Sequence, residues 1–249
     1  MNILLTNDDG YKASGINQLF KTLCTEHKVF LIAPRENYSG MSAAISLRKE
    51  IKVEEISDNI FSVSGTPADC SYLGLLSVIP EPIDMIVSGI NLGANLGEDI
   101  FYSGTVGAAI AGRRLNYAPI AFSVAAYNPK NLKYIAEQSL MITNQVSKLP
   151  SDQNLLVNVN FPDLPSSQIK GVRITSLGKR GVPDTPDLIR HEDSAKFYSF
   201  GPSGALLPDQ VRTDIQAIEQ NYISISILDY NLGADLVRWD FYKEVFNCE

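Results

Sequence analysis

Short apolar runs rich in β-branched residues alternate with stretches whose apolar positions recur at helical spacing through the first two thirds of the chain. That alternation is the pattern of βαβ units joined into a parallel sheet. Ile3 to Thr6 reads as the first strand. Ile16, Leu19, Phe20 and Leu23 then mark one face of a helix ending near His27, and Val29 to Ala33 reads as the second strand. After a loop from Pro34 to Met41, Ile51 to Ile56 and Ile60 to Val63 read as an antiparallel pair turning at Ser57-Asp58-Asn59.

Thr66-Pro67-Ala68-Asp69 predicts a helix start: threonine caps, proline suits the first helical position, and Asp69 completes a capping-box pair. This helix is expected to run to about Val78. Met85 to Ser88 predicts a buried strand, followed by a glycine-rich loop to Gly104 and a small-residue helix from about Thr105 to Leu115. Ile120 to Val124, a helix over about Leu132 to Lys148, and Leu155 to Val159 continue the alternation.

Beyond about Gly171 the pattern changes. Residues 178–210 are dense in Gly, Pro and Asp without sustained periodicity, which predicts long loops and hairpins. Thr213 to Gln220 reads as a short helix with Thr213 and Gln216 as a capping box, and Tyr222 to Leu228 as an alternating strand. The expected fold is α/β: a Rossmann-like, mostly parallel sheet flanked by helices over residues 1–162, with a smaller β-rich extension over 163–249.

Composition narrows the functional classes. The 249 residues carry 28 acidic and 21 basic side chains, a net charge of −7 and a pI near 4.9, with 45% hydrophobic residues. These are figures of an ordinary globular protein. They also exclude long nucleic acid as the principal ligand, because the chain has no surplus of cations to release counterions from a polyanion. A small anionic substrate requires a local reversal of sign. The longest mostly apolar stretch, around Ala118 to Ala126, is far short of the ~20 residues that span a bilayer. The N-terminus lacks the basic and longer apolar regions of a secretory signal, so a cytoplasmic protein without membrane contact is expected. Cys24, Cys70 and Cys248 form no C-x-x-C pair and read as reduced structural thiols.

In a doubly wound sheet, ligands bind beyond the carboxyl ends of the strands. Directly after the first strand stands Asn7-Asp8-Asp9-Gly10. Adjacent side chains of a regular strand face opposite ways, so Asp8 and Asp9 converge only where the backbone turns. Two converging carboxylates repel, and a shared proton or a bound cation relieves them. An Asx turn capping the next helix is the alternative use of this segment. The second strand leads to Ser39-Gly40, and the strand ending at Ser88-Gly89 leads to Asn91. Asp8, Asp9, Ser39 and Asn91 form an all-oxygen set that favours Mg²⁺ or Mn²⁺ over zinc. His27 reads as a helix-end residue, whereas His191, in the irregular segment, stays open to a functional role.

The glycine-rich loop ends in Ser103-Gly104-Thr105 at the start of the small-residue helix. Free N–H groups and two hydroxyls there are either an anion site or simple capping. Tyr38, Phe101 and Tyr102 read as buried or interface residues, with base stacking as the alternative. P-loop, G-x-G-x-x-G, G-x-S-x-G and H-E-x-x-H motifs are all absent.

Asn7-Asp8-Asp9-Gly10-Tyr11 with Gly15-Ile16, Ala33-Pro34 with Ser39-Gly40, Gly65-Thr66-Pro67-Ala68-Asp69-Cys70, and Ser88 through Thr105 together resemble the SurE family of survival-protein nucleotidases. Asn158-Val159-Asn160-Phe161-Pro162, Gly178-Lys179-Arg180, and Thr213-Asp214 with Tyr222-Ile223-Ser224 extend the resemblance over nearly the whole chain. The resemblance implies a metal-dependent 5′(3′)-nucleotidase that hydrolyses nucleoside monophosphates, with one divalent ion per subunit. It also implies a C-terminal arm exchanged between subunits of a homodimer or homotetramer. Family metal ligands fall on Asp8, Asp9, Ser39 and Asn91, and the phosphate side falls on Asn95, Ser103, Gly104 and Thr105.

The chain departs from the family pattern at Ala111, where a glutamate is usual, and at Asn221, where a glycine is usual; residues 180–210 match least. The expected mechanism is in-line attack on phosphorus by a metal-activated water. Asp8 would orient or deprotonate that water, and Asn95, Ser103 and Thr105 would stabilise the phosphoryl charge. A broader phosphatase or exopolyphosphatase, and a non-catalytic nucleotide-binding regulatory module, are the competing readings.

Overall fold

A computed structural model describes residues 1–149, 155–200, 204–205, 207 and 211–229. The parallel strands are β1 (Asn2–Thr6), β2 (Lys28–Pro34), β4 (Ile60–Val63), β5 (Met85–Leu92), β6 (Ile120–Val124) and β7 (Leu155–Phe161), with β3 (Val53–Ser57) antiparallel to β4. Two further strands, β8 (Val172–Ile174) and β11 (Ile223–Asp229), join the same sheet, β11 lying antiparallel to β7. The order is β3-β4-β2-β1-β5-β6-β7-β11-β8. The sheet thus continues past residue 162 into the C-terminal extension. A separate hairpin, β9 (Asp187–Glu192) with β10 (Ala195–Ser199), stands off the sheet with every residue exposed. His191 lies in this hairpin, opposite Lys196.

The hydrophobic alternation explains the layering. Ile3, Leu5, Met85, Val87, Phe122 and Val159 point to one face, where α1 (Ser14–Leu23) and α4 (Leu132–Val146) cover them. Leu4, Ile32 and Ile86 point to the other, beneath α2 (Pro67–Leu73) and the π-helical turns over Gly74–Val78 that continue it. α3 (Gly104–Ile110) covers the adjoining part of that second face, with Val106 and Ala109 against Ala121 and Leu156. The Thr66–Asp69 capping box forms as expected: Thr66 Oγ1 accepts from Asp69 N at 3.1 Å, and Asp69 Oδ2 from Thr66 N at 2.9 Å. Thr213 caps α5 (Asp214–Glu219) by accepting from Gln216 N at 3.3 Å.

Of the boundaries that differ from the sequence reading, two bear on the site. α3 ends at Ile110, not Leu115, and turns follow it. β5 does not end at Ser88 but runs to Leu92, with a break in register against β6 between Ser88 and Asn91. At the break Gly89 has φ +129°, and a Cβ there would lie 2.2 Å from the carbonyl oxygen of Phe122. Only glycine fits that close approach, and its irregularity hides the strand's continuation from a period-two pattern. Cys24 is exposed, Cys70 is buried, and neither is bridged. Cys248 and the terminal arm lie outside the described residues.

Candidate metal and phosphate site

From β1 the chain winds outward through β2 to β4, then crosses back to β5 and winds the other way through β6 and β7. The carboxyl ends of β1 and β5 therefore flank the point where the order reverses, and the crevice there is open to a ligand. Asn7 shapes the turn out of β1: its Oδ1 accepts from Gly10 N at 3.2 Å and its Nδ2 donates to Gly10 O at 3.0 Å. Gly10, at φ +98°, supplies the left-handed backbone. The Asx turn thus belongs to Asn7. Ala13, the residue before α1, offers the helix no side-chain cap, and neither aspartate is spent on it.

Asp8 is 3% exposed. Its Oδ1 accepts from Thr105 Oγ1 at 2.6 Å, and its main-chain carbonyl accepts from Tyr38 N at 2.8 Å. Burial pushes its carboxyl up to about 6; the Thr105 hydroxyl opposes the shift and the neighbouring Asp9 charge adds to it. Asp9 is half-buried, with Oδ2 accepting from Leu92 N at 3.0 Å and Oδ1 from Asn37 Nδ2 at 3.3 Å. Burial raises its carboxyl as well, against those two donors. Gly104 admits the first turn of α3 to this place: a Cβ there would lie 2.8 Å from Asp8 Cβ and 2.9 Å from Asp8 Oδ2.

The remaining candidates divide. Asn91 sits beside Leu92 at the end of β5; its Nδ2 donates to Gly93 O at 2.9 Å, and Oδ1 is the atom that could serve a cation. Ser39 is exposed, and its loop is joined to Asp9 by Asn37, whose Oδ1 accepts from Ser39 N at 2.8 Å. Ser103 caps α3 by accepting from Val106 N at 3.1 Å, and its own hydrogen stays available to a phosphoryl oxygen. Thr105 spends its hydroxyl hydrogen on Asp8, so it orients that carboxylate. Asn95 is bound to Ser123, Asn158 and Asn160. Phe101 and Tyr102 are exposed and take no part in this chain's core. A groove of about 550 Å³ lined by Ile100, Phe101, Ile110, Leu156 and Leu228 includes none of the candidate metal or phosphate residues.

Sequence spacing did not reveal Asp214. It is fully buried at the start of α5, with Oδ2 accepting from Gly97 N at 2.7 Å and Oδ1 from Gly178 N at 2.8 Å and Ile215 N at 2.9 Å. Burial raises its carboxyl against these backbone donors. Arg180 adds a second tie, its Nε 3.1 Å from Asp99 Oδ2. The C-terminal extension thereby holds the start and the middle of the turn of 3₁₀-helix over Gly97–Phe101 that leads to Ser103.

The family model for survival protein SurE matches residues 3–184. The chain belongs to the SurE family. It is 39% identical over 251 residues to a protein of Wigglesworthia glossinidia brevipalpis named 5′/3′-nucleotidase SurE, covering 98% of this chain and 100% of that one. It is 38% identical over 232 residues to the 5′-nucleotidase SurE of Vesicomyosocius okutanii, covering 93% and 92%. The crystal structure of SurE protein from Aquifex aeolicus matches with a TM-score of 0.84 at 33% identity, over 99% of this chain and 100% of that chain.

Both departures from the SurE pattern have local explanations. Asn221 has φ +68°, and asparagine tolerates the left-handed region better than other residues with a side chain. Ala111 caps the end of α3 and leans on the core around Ile86. Neither touches Asp8 or Asp9. Among the described residues no three His, Cys, Asp or Glu side chains gather. A cation placed here would meet two carboxylates and neutral oxygens, a set whose chemistry fits a hard divalent ion. Among the described residues no helix is long and apolar enough to cross a membrane.

Proposed function

We propose that this chain is a divalent-metal-dependent phosphomonoesterase that hydrolyses nucleoside 5′- and 3′-monophosphates to nucleoside and phosphate. The observation that carries the reading is the meeting of buried Asp8 with Thr105 and Gly104 at the start of α3, beside Asp9 at the reversal point of the sheet. The names of the relatives supply the substrate class. Asp8, Asp9, Ser39 and Asn91 hold one Mg²⁺ or Mn²⁺ ion. When bound, that ion supplies positive charge and Lewis acidity toward water and phosphoryl oxygens.

The chain's own residues do the rest. Asp8, held by Thr105, accepts a proton from the attacking water or fixes its orientation. Ser103 donates its free hydroxyl hydrogen, Asn95 its amide hydrogen, and the Gly104 segment its backbone N–H to the phosphoryl oxygens. Assembly into homodimers or homotetramers is part of the same proposal. Its support is the β9–β10 hairpin, where Leu188, Ile189 and Tyr198 are exposed, because an isolated two-stranded hairpin is marginal in water.

The test is phosphate release from AMP by the purified chain, with Mg²⁺ or Mn²⁺ and with EDTA. Turnover that needs the metal and disappears in Asp8→Asn supports the proposal. Binding of AMP without turnover, or turnover unchanged in EDTA, refutes it.

A further inference from the structure

A glycine-rich loop has backbone N–H and C=O groups that no helix or sheet ladder satisfies, and when such a loop is buried its partners must come from side chains. Here they come from the sheet. Along β6 and β7, Phe122, Val159 and Phe161 point into the core beneath α1 and α4, and the alternation sends Ser123, Asn158 and Asn160 to the opposite face. All three polar residues are fully buried.

Asn160 Oδ1 accepts from Asn95 N at 2.9 Å, and Asn160 Nδ2 donates to Asn95 O at 2.9 Å. One side-chain amide thus closes on both backbone polar groups of a single residue, as a neighbouring strand would. Asn158 Nδ2 donates to the same carbonyl at 2.9 Å, while its own Oδ1 is buried with no partner among the described residues. Leaving a buried acceptor unmade is unfavourable. The orientation of Asn158 therefore serves Asn95 and not its own hydrogen-bonding capacity. Ser123 Oγ accepts from Asn95 Nδ2 at 2.7 Å and takes one of its two amide hydrogens, leaving the second for a ligand.

We propose that Asn160, assisted by Asn158, is a positioning residue that fixes the backbone of Asn95 so that its free amide hydrogen meets the substrate phosphoryl group. The inference rests on the reading of Asn95 as a phosphate-side residue. Asn160 touches no reacting atom and acts only through Asn95. A displacement of about 1 Å in a substrate-orienting group lowers turnover by up to about 10²-fold, which sets the scale of the effect.

The experiment is a double-mutant cycle on phosphate release from AMP, using the full chain with Mn²⁺, at folded fractions matched by circular dichroism. The wild type, Asn160→Ser, Asn95→Ala and the double variant are compared. Asn160→Ser should lower kcat/KM by about 10- to 100-fold with Mn²⁺ affinity unchanged. In the Asn95→Ala background the same substitution should cost less than about threefold more, because its effect has already been removed. A merely structural role predicts losses that multiply. Multiplying losses, or an Asn160→Ser enzyme within about threefold of wild type, would overturn the proposal.

If Asn160→Ser does not fold, Asn158→Ser, which removes one bond to the same carbonyl, is held to the same cycle with an expected loss of about 5- to 30-fold. A wild-type chain that releases no phosphate refutes the functional reading, and wild-type activity in Asn95→Ala refutes the role given to Asn95. Each of these outcomes is distinguishable from a failed cycle.

Discussion

Replacing Asp8 by asparagine should abolish turnover and at the same time stabilise the metal-free protein at neutral pH. Asparagine keeps the shape of the side chain and an oxygen that can accept from Thr105 Oγ1, but it carries no charge to bury beside Asp9. The Asp8 carboxyl is raised from 3.8 to about 6 on folding, chiefly by burial. A tenfold change in proton affinity corresponds to ~1.4 kcal/mol, so holding Asp8 ionised in the fold costs about 3 kcal/mol at pH 7.

The sign follows from proton binding. Between 3.8 and about 6 the folded state holds the proton more tightly than the unfolded chain, so the stability of the metal-free wild type falls as pH rises through that window. Above it the full penalty is present, and at pH 5 only about 1.6 kcal/mol of it remains. For a chain of this size 1 kcal/mol is ~2–4 °C in Tm. The variant should therefore melt about 6–12 °C higher than wild type in EDTA at pH 7, and about half as far above it at pH 5. Adding Mg²⁺ or Mn²⁺ should raise the wild type alone and close the gap. Thermal melts at the two pH values, with and without metal, measure all of this. An Asp8→Asn protein melting at or below wild type in EDTA at pH 7, or a gap independent of pH, would refute the reasoning.

Four further outcomes follow from the same geometry. Gly104→Ala places a methyl 2.8 Å from Asp8 Cβ; phosphate release should fall about tenfold or more, while Tm moves little because alanine favours the helix by about 1 kcal/mol. Thr105→Val removes the hydroxyl that holds the Asp8 carboxyl down; a carboxyl titration followed by NMR in the metal-free protein should move above 6 by about one pH unit, and an unchanged midpoint would contradict that bond. Asp214→Asn puts a donor where Gly97 N and Gly178 N both need acceptors; urea unfolding should show a loss of about 2–3 kcal/mol, and a loss below about 0.5 kcal/mol would count against the clamp. Mn²⁺ affinity, read by calorimetry, should weaken as pH falls through about 6, approaching tenfold per pH unit, because a proton on Asp8 competes with the cation.

Much of this candidate site is legible in the sequence. Asp8 and Asp9 were identifiable because a strand ending in two carboxylates and a glycine has few other uses, and the structure places them where the strand order reverses. The placement expected of Asn91 needs amendment: it stands at the end of a strand that runs on past Gly89, not in a loop. Thr105 was read as facing phosphate, yet its hydrogen goes to Asp8 Oδ1. Spacing located the hydroxyl but could not say which acceptor it serves. Asn160 and Asp214 stood in recognisable motif blocks without a role, because the atoms they hold lie 65 and 117 residues away.

The sequence by itself determined the βαβ alternation, the capping of α2 by Thr66 and Asp69, and the acidic turn after β1. These depend on burial periodicity and on bonds between residues a few positions apart, and the chain's spacing records both. Only the tertiary structure decided that β8 and β11 extend the sheet, that α3 brings Gly104 and Thr105 against Asp8, and that the extension grips the glycine-rich loop through Asp214. Those outcomes depend on which distant segments share the interior. There a polar group must find a partner, and the raised carboxyl of Asp8 comes from burial that packing alone creates.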